Sequence, residues 1–132
     1  MKIFNIILKV LLCLILLAPI LGAFGVFPAP TADMYNTPQT FAFIQALMES
    51  HYINQVMAVA CVLIIAFMIM GRTALAALLL LPITINIISF HLFHDNGLFT
   101  ASASLADVLA LLNLWFLWQG RSEYRALWTK GN

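Results

Sequence analysis

Apolar residues fill four long stretches of this chain, roughly 3–27, 52–70, 73–93 and 105–118, while polar positions gather between them. Each stretch predicts a helix that crosses a membrane, since a span needs about 20 mostly apolar residues to traverse roughly 30 Å of hydrocarbon. The long connection before the second stretch carries its own pattern. Pro28, Pro30 and residues 33–38 read as extended or turning chain. Thr37 then offers a helix N-cap with Pro38 at the first helical position. Phe41, Ile44, Leu47 and Met48 recur at helical spacing, with Gln39, Gln45 and Glu49 off their stripe. A short amphipathic helix over about 38–50 is expected there, lying on the surface or capping the other helices. The plainer alternative is the wet beginning of the second span.

Met70-Gly71-Arg72-Thr73 is the tightest connection. Gly71 can end one helix in the left-handed region and Thr73 can cap the next, so the second and third spans are expected to be antiparallel neighbours. Pro19 and Pro82 interrupt the first and third spans and are expected to bend them, with Thr84 close enough to satisfy the carbonyl that Pro82 frees.

Charge orients these spans. Lys2 and Lys9 begin the first, Arg72 lies in the tight turn, and Arg121, Arg125 and Lys130 follow the fourth. The other two connections hold no Lys or Arg but carry Asp33, Glu49 and Asp95. Cations near segment ends stay on the cytoplasmic side, which puts both termini in the cytoplasm. Trp115, Trp118 and Trp128, with Tyr124, cluster at that boundary as interfacial anchors.

Composition agrees: 64% hydrophobic residues, 8% charged and a mean hydropathy of +1.01 lie far from a soluble domain. Four spans occupy nearly all of the 132 residues, leaving one integral membrane domain. A formal charge of +1 provides no basic stripe, so nucleic acid is not an expected partner. The first stretch is longer than a secretory signal core and reads as a retained helix. Cys13 and Cys61 form no C-x-x-C pair. They fall at similar depth on the first two spans, but small residues packing between helices are the stronger reading.

Polar side chains within the spans are the functional candidates, because each is costly in hydrocarbon without a partner. The third span holds Thr84, Asn86, Ser89 and His91, then His94 and Asp95 at its outer end. Thr84, His91 and Asp95 share one face, with Asn86 and Ser89 roughly opposite. That span is therefore expected to have protein on two sides, either central in the bundle or at a subunit interface. The fourth contributes Asp107 near the outer boundary and Asn113 deeper, and a His91–Asp107 hydrogen bond is geometrically allowed. His91, His94, Asp95 and Asp107 form a candidate outer polar pocket able to handle a proton or a quinone. Asn86, Asn113, Thr84 and Ser89 are read as interhelical contacts. His91, His94 and Asp95 have i, i+3, i+4 spacing, a weak metal signal that polar helix ends often reproduce. There is no phosphate loop, activated serine, paired intramembrane carboxylate or facing haem ligand, so catalysis by this chain alone is not expected.

Leu79–Leu127 holds Pro82-Ile-Thr-Ile-Asn86-Ile-Ile-Ser-Phe90-His91-Leu-Phe93, then Leu112-Asn113-Leu-Trp-Phe-Leu-Trp118-Gln-Gly-Arg121 and Tyr124-Arg125. This stretch resembles the DoxX-like family of small prokaryotic membrane proteins, and the outer loop from Phe27 to Tyr52 fits as well. The resemblance implies an all-α bundle of four transmembrane helices in the plasma (inner) membrane, both termini cytoplasmic. It also implies association with redox systems, because relatives include subunits of a thiosulfate:quinone oxidoreductase and a membrane partner of a thiol-stress oxidoreductase. Cys61 stands where family members often carry an acid. The leading expectation is a non-catalytic membrane component of a redox or stress-related system with quinone access near the outer end of the third span. A soluble oxidoreductase or another membrane subunit would be its partner. A small-solute or proton transporter, and a purely structural scaffold, are the alternatives.

Overall fold

The computed structural model describes residues 1–129 as six α-helices and one short 3-10 turn, with no strand among the described residues. The helices are α1 (Lys2–Ala23), α2 (Pro38–Ser50), α3 (Tyr52–Ile69), α4 (Thr73–His94), α5 (Ser104–Gln119) and α6 (Arg121–Trp128). Lys130 lies outside the described residues.

Three helices, α1, α3 and α4, are long and apolar enough to cross a membrane. The apolar helix α5, at 16 residues, rises about 24 Å and is shorter than a full span. α1 stops at Ala23, earlier than expected, where Gly25 turns the chain at φ 72°. α2 has the expected bounds, and its cap forms as read: the Thr40 N–H donates to Thr37 Oγ1 at 3.1 Å. At the tight turn Gly71 takes φ 77°, and the Arg72 N–H reaches the Phe67 carbonyl at 2.8 Å, closing α3 as a glycine-terminated helix should. Thr73 does not cap α4; the cap position is Arg72 and makes no side-chain hydrogen bond. Nor does Thr84 serve the carbonyl four residues before Pro82. Its hydroxyl donates to Leu80 O at 3.2 Å, one turn behind itself, and α4 runs on through the proline.

α1 packs on α3, α3 on α4, α4 on α5, and α5 returns to α1. Leu12, Leu16, Cys61, Ile64, Leu80, Leu112 and Phe116 fill the interior. Both cysteines are free thiols, Cys61 inside that core and Cys13 against it. The outer surface is rich in Ile, Leu, Val and Phe, the distribution expected of helices in contact with lipid.

The described basic residues collect at one end. Asn5 Oδ1 accepts from Gln119 Nε2 at 2.9 Å and Trp115 Nε1 at 3.3 Å, tying the start of α1 to the end of α5. Helix α6, absent from the sequence reading, folds back so that the Tyr124 hydroxyl donates to Ala74 O at 2.7 Å. Gly120 permits that approach, since a Cβ there would lie 2.8 Å from the Ala74 Cβ. Beside it the Arg121 guanidinium sits 4.3 Å over the Trp118 ring. Lys2, Arg72 and Arg125 belong to the same end by position, and Lys9 lies two turns into α1.

Candidate functional site

At the opposite end the chain builds two different polar arrangements on the two flanks of α4. The first is a closed latch centred on Asp95, which is fully buried. Its Oδ1 accepts the Asn36 N–H at 2.9 Å, and its Oδ2 accepts from Ser102 Oγ at 2.6 Å and His91 Nδ1 at 3.2 Å. An ionised carboxylate only accepts, so this geometry puts the His91 proton on Nδ1. The Asn36 amide also donates to Asp95 O at 2.7 Å and to Ser102 Oγ at 3.0 Å. Burial alone would raise the Asp95 carboxyl; the bonds from Ser102, Asn36 and His91 together outweigh it and hold the group below its ordinary value.

The latch extends into α2. Thr37 and Thr40 hydroxyls both reach the His94 carbonyl, so the N-terminus of α2 caps the C-terminus of α4. The two helix dipoles then meet head to tail, positive end against negative. Sequence reasoning missed Asn36, Thr40 and Ser102. Only the Thr37-Pro38 cap and the polar run around Ser102 mark these segments, and nothing local says that they meet.

The expected four-residue pocket does not form as one unit. His91 and Asp95 come together, as the i, i+4 spacing allows. Asp107 instead accepts the Phe99 N–H at 2.9 Å and steadies the connection into α5, where Phe99 has φ 59°; the allowed His91–Asp107 bond is not made. His94 turns to the other flank, its ring stacked 5.3 Å from Phe43 and 6.1 Å from Phe90. No three His, Cys, Asp or Glu side chains converge among the described residues, because His94 points away from His91 and Asp95.

The interhelical contacts divide the same way. Asn113 Nδ2 donates to Thr84 Oγ1 at 2.7 Å, a buried bond joining α5 to α4. Asn113 is buried, yet its Oδ1 has no partner among the described residues. Among the described residues Asn86 and Ser89 make no side-chain hydrogen bond to α5. They line a cavity of about 660 Å³ with Asn54, Phe43, Met48, Met57, Phe90 and His94.

That cavity is the second arrangement. α1 contributes Pro19 and Gly22, α2 lies along one wall, α3 and α4 supply the rest, and α5 contributes nothing. The third apolar stretch thus has protein on one flank and a cavity on the other. The volume falls within the range of about 300–1,000 Å³ for small-molecule sites, and the lining is mostly apolar with a few polar groups. No Asp, Glu, Lys or Arg is among its lining residues, and His94 is the titratable side chain on its wall. Below it the described core is apolar apart from Thr84 and Asn113, which are bonded to each other. Asn54 and α2's aromatic contribution were not anticipated. Asn54 carries a helical-wheel signal, but its third position in α3 reads equally well as a wet helix start.

Comparison with family models, characterised proteins and solved structures finds no match to this chain.

Proposed function

We propose that the chain is a four-span protein of the DoxX-like type in a prokaryotic plasma (inner) membrane, a non-catalytic component of a redox or stress-related system that admits a quinone at its outer end. The observation that carries this reading is the uncharged, aromatic-walled cavity between α2, α3 and α4, beside His94 rather than His91. A quinone is neutral and lipid-soluble, which suits a mostly apolar cavity whose outer wall carries Phe43, Phe90 and His94. Both termini face the cytoplasm in this reading, supported by the gathering of Lys2, Arg72, Arg121 and Arg125 at one end and Asp33, Glu49, Asp95 and Asp107 at the other. The partner is a soluble oxidoreductase or a second membrane subunit.

The test is gentle affinity purification from native membranes, followed by mass spectrometry of the lipid extract and co-purifying proteins. Quinone enriched over bulk lipid, and lost in Met48→Trp, which fills the cavity from α2, is the expected result. A retained soluble oxidoreductase without quinone would favour the scaffold instead. Cysteine labelling of each terminus from the two membrane sides checks the orientation.

A further inference from the structure

Two amides line the cavity at the same level. Asn54 lies 16 residues before Met70 and Asn86 lies 14 residues after Arg72, on the helices that the tight turn joins. At 1.5 Å per residue these are about 24 Å and 21 Å from the turn, so the two positions lie at nearly one depth on antiparallel neighbours, and both line the cavity. Ser89 is one turn further along α4. His94 is eight residues beyond Asn86, about 12 Å nearer the outer end. Neither amide makes a hydrogen bond within the chain among the described residues, in contrast to Asn36, Asn113 and Asn5, which all do. An asparagine left open on an apolar helix flank needs a partner from elsewhere.

We infer that Asn54 and Asn86 form an amide clamp for the head of a neutral, lipid-soluble carbonyl compound. This rests on the ligand-holding reading of the cavity and adds where the head sits. An amide supplies both donor and acceptor, so the pair can grip a carbonyl or hydroxyl without any charge, and the lining offers no carboxylate to hold an amine. The head binds at the amide level, and the stacked rings of Phe43, Phe90 and His94 line the way towards the outer end.

The experiment uses the full chain in nanodiscs, with empty nanodiscs as the blank, and two probes of matched tail: 2-decyl-1,4-benzoquinone and decylbenzene. The wild type should retain the quinone roughly 25- to 100-fold better than the hydrocarbon, since each of two net hydrogen bonds corresponds to about five- to tenfold. Asn54→Ala and Asn86→Ala should each lower quinone retention about five- to tenfold, and the double variant should bring it to the decylbenzene level. His94→Ala should change it by less than about threefold, because His94 lies about 12 Å outside the level at which the head is held. Asn86→Leu provides a second variant that keeps side-chain volume, so a loss shared by both Asn86 variants with unchanged melting cannot be blamed on the fold. Equal retention of the two probes by the wild type would overturn the clamp while leaving the cavity as a lipid-ligand site. Retention of neither would remove the cavity reading itself. Loss in His94→Ala with both Asn variants unaffected would place the head at the outer end and overturn the clamp.

Discussion

The two flanks of α4 treat polar side chains in opposite ways. Facing α5 and the outer connections, Thr84, His91 and Asp95 are buried and bonded to other parts of the chain. Facing the cavity, Asn86 and Ser89 are left open, beside Asn54 across the gap. The same residue chemistry, placed on one helix, yields bonded side chains on one side and side chains without a partner among the described residues on the other. A polar group that is already paired stabilises the fold and has little left for a ligand; one that is unpaired is available for binding.

Breaking the closed flank should produce the largest effect. Asp95→Ala leaves the Asn36 N–H, the Ser102 hydroxyl and the His91 ring without their shared acceptor, a loss expected to cost about 3 kcal/mol. Unfolding in mixed micelles would measure it, and a change below about 1 kcal/mol would show that the latch is dispensable. Thr84→Val comes next. It strips the Asn113 amide of its acceptor, and a loss of about 1 kcal/mol is expected by the same assay.

Acid should weaken the latch more gently. The folded-state pKa of Asp95 is depressed, so its contribution is fully present above the unfolded value of about 4 and is lost as pH falls through the lower folded value. Stability measured from pH 6 downwards should therefore drop only on the acid side of about pH 4, and Asp95→Asn should flatten that limb. The smallest effect sharpens the contrast. Asn86→Leu on the open flank should leave stability within about 0.5 kcal/mol of the wild type, because no bond within the chain is removed. A large destabilisation there would mean that the two flanks do not differ.

The helices were legible because hydrophobic runs and caps are local. Thr37-Pro38 marked the start of α2, Gly71 the end of α3, and the bounds of α3, α4 and α5 fall within a residue or so of the apolar stretches. Helix α6 was not legible, since its eight residues follow α5 after the single residue Gly120 and lack an apolar run. The site was only half legible. Periodicity placed Thr84, His91 and Asp95 on one face and Asn86 and Ser89 on the other, as found. It could not say which outer segment would meet Asp95, because Asn36 is 59 residues away in sequence. Nor could it turn His94 towards Phe43, a choice made when α2 settles along the cavity wall.

That 59-residue separation also bears on the order of folding. Closing a long loop costs entropy before any bond compensates, whereas the α3–α4 hairpin closes across a turn of a few residues. Contacts of short range form early and those of long range late. The hairpin is therefore expected to form first and α2 to settle last. A nascent chain would pass through a stage in which the cavity has floor and sides but not the wall that α2 later provides.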